Sequence, residues 1–225
     1  MRSAMAATST RPIVMVAIDY DPISLGYVKS LASPGDQVTG IYFQQTELVG
    51  KRLETLKELM PNLDLATVFW DRFSADQWKA TEKIASKANL RLFGIDLGEQ
   101  PYDYAKSLTS VPQPYHGALL VMVSPVVFRD RQHLVDFTLV GKIPSIYALR
   151  EFADAGGLIS YGANISVLFE RAAEYFDRIA KGAKPAELPV EQPTKFELVV
   201  NLRTAKAIGV TVPSSLLVRA DQTIE

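Results

Sequence analysis

PSIYALREFADAGGLISYGAN, residues 144–164, is the stretch on which the reading of this chain turns. Its two apolar pieces, Ser145–Leu149 and Leu158–Tyr161, have strand length, and the charged piece between them, Arg150–Ala155, suits a small helix or loop. Gly156 and Gly157 break that piece, and Gly162 ends the second strand in a turn. Glycine accepts positive φ and lets backbones approach closely, so such a path is sterically easy. Two strands joined in this way can carry the chain from one sheet to another. The stretch is therefore expected to be a hinge, with Tyr147, Arg150 and Tyr161 beside a cleft between two lobes. The plainer alternative is an αβ corner with surface-facing tyrosines.

Outward from it, strand and helix signals alternate. Ile13–Ile18 (IVMVAI) is a continuous apolar run, as in a strand buried on both faces. Asp21 and Pro22 form a cap-then-proline start, and Leu25, Val28 and Ala32 follow at helical spacing, which predicts a helix from Pro22 to about Leu31. Residues 1–11 read as a loose tail. Val38–Phe43 is a strand, and Val49, Leu53, Leu56 and Met60 stripe a helix. Leu65–Trp70 is a strand before a helix capped by Ser74 and running through Ala88. Leu90–Leu97 is a strand, followed by a short helix near Tyr102–Leu108 and a loop, 109–117, with two prolines. Ala118–Val123 is a strand, and Ser124-Pro125 opens a helix to about Val140. Ile165, Leu168, Phe169, Ala172, Phe176 and Ile179 mark a strong amphipathic helix that Gly182 stops. Phe196–Val200 is a strand, Asn201 caps a helix ended by Gly209, and Pro213–Ile224 reads as a last helix. The alternation predicts an α/β fold with mainly parallel sheets and helices on both faces.

With 225 residues, 48% hydrophobic and 22% charged, the chain can bury a core. Lys and Arg total 24 against 25 Asp and Glu, a net charge of −1 without a basic patch, which argues against nucleic acid as a partner. There is no cysteine. Disulfides, thiolate metal sites and a cysteine nucleophile are excluded, while the compartment stays open. No stretch approaches the roughly 20 apolar residues of a membrane span, and MRSAMAATSTRP is not a complete signal peptide.

In a doubly wound sheet, ligands bind beyond the carboxyl ends of the strands. Those ends carry Asp19–Ser24, Gln44–Glu47, Trp70–Ser74, Ser124-Pro125, Tyr147–Glu151 and Ser160–Asn164. Helix starts there suit a carboxylate or phosphate, and Tyr20, Trp70, Phe73, Tyr147 and Tyr161 add aromatic surface. A small anionic aromatic molecule fits both features. Asp21, Ser74, Ser124 and Asn201 are also ordinary helix caps, the simpler role for each. Neither a GxGxxG after a strand, a GxxxxGK[ST] loop nor a GxSxG elbow occurs. His116 and His133 have no second metal ligand at a useful spacing. No cofactor, metal or catalytic residue is expected, and an enzyme is the weaker class.

Asp21-Pro22, Gly26, Val28 and SLASPGDQVTG (Ser30–Gly40), then KRLETLKELMP (Lys51–Pro61), REFADAGGLISYG (Arg150–Gly162) and the whole run from Arg178 to Glu225 resemble the ABC-transporter substrate-binding proteins of the tryptophan/tyrosine transport type. The resemblance extends over nearly all the chain after Ala6. It implies a type I periplasmic-binding fold, two α/β lobes joined by three crossings, with an aromatic amino acid or aromatic acid trapped between them. Lobe I is then residues 1–60 and 158–192, and lobe II 61–157 and 193–225. Family members begin with a signal peptide and further βα units, so lobe I is expected to lack its opening strands and to be covered by a second copy of the chain. The loop WDRFSADQW (Trp70–Trp78) replaces an Asn-Pro-rich turn. Expected ligand contacts are Asp21, Ser24, Trp70, Ser124, Tyr147 and Tyr161. The implied partners are the ligand and a transporter permease, and the implied location is the periplasm, or the cytoplasm if Met1 is the true start. The alternative function is a shortened, non-transporting relative acting as an oligomeric or regulatory ligand-binding scaffold.

Overall fold

The computed structural model describes residues 1–86, 90–111 and 117–225. Ala88, expected on a helix, and His116 with the prolines of its loop lie outside the described residues. The chain forms two compact units, one of Met1–Gln45 with Ala163–Phe196, the other of Thr46–Gly162 with Glu197–Glu225. It passes between them after Gln45, after Gly162 and after Phe196. Residues 46–60, grouped by sequence with lobe I, fall in the second unit, as do residues 158–162.

The first unit opens with helix α1 (Arg2–Ala7) where a loose tail is expected. Met1 and Met5 lean on a cluster of Met15, Ala17, Val28, Val38, Tyr42 and Val190, which gives this short helix a surface to pack on. Strands β1 (Ile13–Ile18) and β2 (Val38–Phe43) pair in parallel, Ile13 opposite Val38 and Ile18 opposite Phe43. No helix runs from Pro22 to Leu31. Gly26 takes φ +69, and the Tyr27 and Val28 amides both donate to Pro22 O, at 2.8 and 3.2 Å. The left-handed residue breaks the helical path and closes a wide turn instead. The helical spacing misleads because only Val28 of its three apolar residues is buried. The outer edge of β2 is paired by the segment near Glu191, whose amide donates to Gly40 O and whose carbonyl accepts from the Tyr42 amide.

A 3₁₀ turn at Gln45–Leu48 leads into helix α2 (Val49–Leu59) of the second unit. There follow β3 (Leu65–Trp70), α3 (Ala75–Ala85), β4 (Arg91–Asp96), α4 (Tyr104–Leu108), β5 (Ala118–Val121), α5 (Pro125–Arg129), α6 (Arg131–Val140), β6 (Ser145–Tyr147), α7 (Arg150–Asp154) and β7 (Ile159–Gly162). After α8 (Ile165–Ala180) in the first unit, the chain returns as β8 (Glu197–Asn201), α9 (Leu202–Ile208), α10 (Ser214–Arg219) and β9 (Gln222–Ile224). These strands form one sheet in the order β4-β3-β5-β6-β7-β8-β9, parallel except for the antiparallel pair β7–β8. The stripe of α2 packs Val49, Leu53, Leu56 and Leu59 with Val68, Leu120, Ile146, Ile159 and Val200 of the sheet.

Three expectations are corrected here. Strands β6 and β7 are parallel neighbours in one sheet, Ile146 opposite Ile159, so residues 144–162 are a crossover within a sheet and not a passage between sheets. The single helix expected from Ser124 to Val140 divides at Asp130, whose carboxylate receives the Tyr104 hydroxyl at 2.6 Å. The last helix stops at Arg219. Beyond it, the Asp221 amide donates to Leu198 O at 2.9 Å while the Asp221 carboxylate accepts from the Leu198 amide at 2.8 Å, and this local pairing starts β9.

Helix α8 belongs to the first unit. Asn164 caps it, accepting from the Val167 amide, and Gly182 stops it at φ +103. Leu168 and Tyr175 are buried, and the Arg171 guanidinium grips both oxygens of Glu191 at 2.7 Å. That pair holds the Glu191 carboxyl below the ordinary glutamate range. The opposite stripe, Phe169, Ala173, Phe176 and Ala180, is exposed, with Phe169 58% and Phe176 68% accessible.

Candidate functional site

The carboxyl edge of the seven-stranded sheet is organised by a residue absent from the sequence-based candidates. Asp71 directly follows β3 and is fully buried. Its Oδ1 accepts from the Phe73 amide at 3.0 Å, the Ser74 amide at 3.1 Å and the Ser74 hydroxyl at 3.0 Å. Its Oδ2 accepts from the Tyr102 hydroxyl at 2.9 Å and the Ser124 hydroxyl at 2.5 Å. Among the described residues no cation pairs with Asp71. Five donors take the place of a counter-ion, and charge-assisted bonds of this kind are the strong ones. Burial, then Asp71 itself, pushes the Tyr102 phenol well above its ordinary value.

This network fixes the roles of several expected residues. Ser124 caps α5, accepting from the Val127 amide at 3.1 Å, and its own proton goes to Asp71. Ser74 does not cap α3 with its side chain, because its hydroxyl is directed at Asp71. Trp70 is half-buried and lies parallel to Trp78, ring centroids 6.4 Å apart and planes within 4°. The Trp78 ring fits over Gly94, where a Cβ would come within 2.4 Å of it. Tyr147 is fully buried, stacked on Phe152 at 4.9 Å with its hydroxyl 2.9 Å from Thr138 Oγ1. Burial pushes its phenol up to about 12. Its ring leaves no face for a ligand, contrary to the stacking role expected of it, because the glycine at 157 lets the ring lie flat against the crossover: a Cβ there would fall 2.7 Å from Tyr147. Tyr161 is half-buried in β7, and its carbonyl accepts from Arg52 Nε at 2.9 Å. His133 sits on α6 with Nδ1 3.6 Å from Asp130. It lines a cleft of about 330 Å³ with Gln100, Tyr102, Val126, Arg129 and Asp130.

In the first unit, Asp21 and Ser24 share one turn. Asp21 Oδ1 accepts from the Ile23 amide at 2.9 Å, and Ser24 Oγ donates to Asp21 O at 3.1 Å. Beside them Asp19 takes φ +62, and its Oδ1 accepts from the Gln45 amide at 2.6 Å, tying the ends of β1 and β2 together. The expected contacts thus fall in separate groups: Asp21 with Ser24 in one unit, and in the other Trp70 and Ser124 on either side of Asp71, with Tyr147 inside the core and Tyr161 along β7.

The loop that Asp71 holds carries two exposed side chains. Arg72 lies over the Phe73 ring, 4.6 Å from its centroid, and Phe73 is 51% accessible. On the neighbouring strand Asp96 stands in register with Trp70, is exposed, and accepts from the Gly98 amide at 2.9 Å. Among the described residues no group of His, Cys, Asp or Glu is placed to hold a metal ion, and no helix is long and apolar enough to cross a membrane.

Compared with known proteins, residues 2–224 match the family described as ABC transporter substrate binding protein. A tyrosine-binding protein of Clostridioides difficile (strain R20291) is 26% identical over 215 residues, which is 92% of this chain and 59% of that protein. The chain therefore spans less than two thirds of that relative's length. The crystal structure of an ABC domain in complex with L-Trp from Streptococcus pneumonia is 26% identical with a TM-score of 0.80, covering 97% of this chain and 75% of its own. That of a conserved domain protein from Vibrio cholerae O1 biovar El Tor strain N16961 is 24% identical with a TM-score of 0.84, over 99% and 74% of the two chains, a likeness of fold. The observed α/β architecture with mainly parallel strands is the one expected of a periplasmic-binding-type protein.

Proposed function

The chain belongs to the ABC transporter substrate-binding protein family, and from that premise we propose that it captures a small carboxylated, aromatic solute for an importer. The match across residues 2–224 carries this reading. The relatives point to the ligand class, one being a tyrosine-binding protein and another a domain seen with L-Trp. The two compact units act as the lobes, and the ligand shifts the population of conformations by differential affinity. Asp21 and Ser24 offer polar contacts from one unit. Trp70 and Tyr161 offer ring surface from the other, where Ser124 and Tyr147 shape the edge from beneath. The working location is the extracytoplasmic side, and the macromolecular partner is a permease.

A thermal-shift panel of aromatic amino acids, aromatic acids and branched-chain amino acids tests this. At a hundredfold excess over its dissociation constant a true ligand stabilises the folded state by about 2.7 kcal/mol. L-Trp or L-Tyr is expected to raise the melting temperature. A flat response across the panel removes the reading.

The same chain is proposed to pair with a second copy through the first unit. Strand β1 has no partner on its outer edge among the described residues and carries no charge or proline. The Phe169–Phe176 stripe of α8 is largely exposed, Phe169 58% and Phe176 68% accessible. Sedimentation at micromolar concentration is expected to give a dimer that Phe176→Asp converts to monomer; a monomeric wild-type chain would refute the pairing.

A further inference from the structure

We propose that Arg72, Phe73 and Asp96 form a three-point site for the zwitterion of an aromatic α-amino acid, an assignment that rests on the solute-binding reading and narrows it. The guanidinium takes the carboxylate, the Asp96 carboxylate takes the ammonium, and the Phe73 ring takes the side chain. Arg is suited to the first task, because its planar donors match a carboxylate two at a time. An aromatic pair prefers an offset or edge-on meeting, which a half-exposed Phe73 allows with Arg72 already on one side of the ring.

Two features separate this set from ordinary surface charge. First, the loop is rigid. Both amides that follow Arg72, those of Phe73 and Ser74, are bonded to the buried Asp71 carboxylate, so the Arg72–Phe73 pair is presented on a fixed frame at the carboxyl end of β3. Second, two opposite charges stand at the ends of adjacent strands without joining. Trp70 and Asp96 are in register across β3 and β4, and Arg72 lies two residues further on. Yet among the described residues Arg72 makes no ion pair and rests on Phe73 instead. A cation and an anion at the ends of adjacent strands, not paired with each other, present complementary ends to a molecule that carries both charges. A simple aromatic acid would satisfy only Arg72 and leave its apolar tail beside the Asp96 carboxylate.

Calorimetric titration with L-Trp, indole-3-propionate and L-Leu tests the assignment, using the wild-type chain and the variants Arg72→Gln, Arg72→Lys, Asp96→Asn and Phe73→Ala. These side chains are exposed, so the melting temperature without ligand is expected to stay at the wild-type value. Arg72→Gln should weaken L-Trp by about tenfold or more, the loss of a charge-assisted contact, with partial recovery in Arg72→Lys. Asp96→Asn should weaken L-Trp similarly while leaving indole-3-propionate unchanged or improved. Phe73→Ala should erase the preference for L-Trp over L-Leu. If the wild-type chain binds L-Trp and the three truncating variants bind it equally well, this site is refuted while the solute-binding reading stands. If the wild-type chain binds none of the three compounds, the aromatic-solute reading falls and takes the site with it.

Discussion

Replacing Asp71 by alanine is expected to lower folding stability by about 4 kcal/mol, read as a shift of the urea midpoint at unchanged slope. The change removes one acceptor group and strands five donors: two backbone amides and the hydroxyls of Ser74, Tyr102 and Ser124. A buried donor left without a partner costs about 1–3 kcal/mol, and some of these will find each other or admit water. Asp71→Asn supplies the contrast. Its carbonyl keeps the three bonds of the loop, and the hydroxyls of Tyr102 and Ser124 can turn to accept from its amide. A loss of about 1–2 kcal/mol is expected there. An alanine variant within about 1 kcal/mol of wild type would show that the carboxylate does not hold this edge together. The same variant should also loosen the loop that presents Arg72 and Phe73, coupling a stability defect to a binding defect.

Gly162→Ala should be about as damaging, for a steric reason. A Cβ at that position would lie 1.8 Å from the carbonyl oxygen of Ala148 and 3.0 Å from its carbon. These are backbone atoms of the segment just after β6, so no rotamer change can relieve the clash. Relief requires moving β7, which is paired in register with β8 from Ile159 to Gly162. Overpacking of this kind costs about 3 kcal/mol when the backbone must shift. Gly209→Ala is the matched control. It has φ +78 with open space around the added methyl, so it pays only for left-handed backbone, about 1 kcal/mol. Parallel urea titrations of the two variants check the difference, and equal losses would count against the close approach at Gly162.

Much of the fold was legible because its signals are local. IVMVAI, LATVFW and ALLV are apolar runs of strand length, and each is a strand. Ser124-Pro125 and the Asn201…Gly209 pair mark helix ends through caps and a left-handed glycine, and the structure uses them so. Most of the misreadings come from contacts distant in sequence. Nothing within residues 144–164 states that its two strands lie side by side, since that depends on where each docks in the sheet. The helix expected after Pro22 failed because the turn geometry at Gly26 outweighed an apolar spacing with little to bury. The site was less legible still. Asp71 looks like one polar residue in WDRFSADQW, and its role comes from Tyr102, 31 positions away, and Ser124, 53 away. Tyr147 looked available because an aromatic at a strand end is ambiguous between groove and core. Only the flat fit over Gly157 resolves it.

Asp19 bears on how this chain could vary over generations. Its left-handed backbone is tolerated by glycine, asparagine and aspartate far better than by other residues. Its side-chain oxygen must also reach the Gln45 amide. Asparagine meets both demands, glycine only the first, and a β-branched replacement neither. Drift at this position should therefore be confined to a two-letter alphabet, Asp or Asn, even where the neighbouring turn residues change freely.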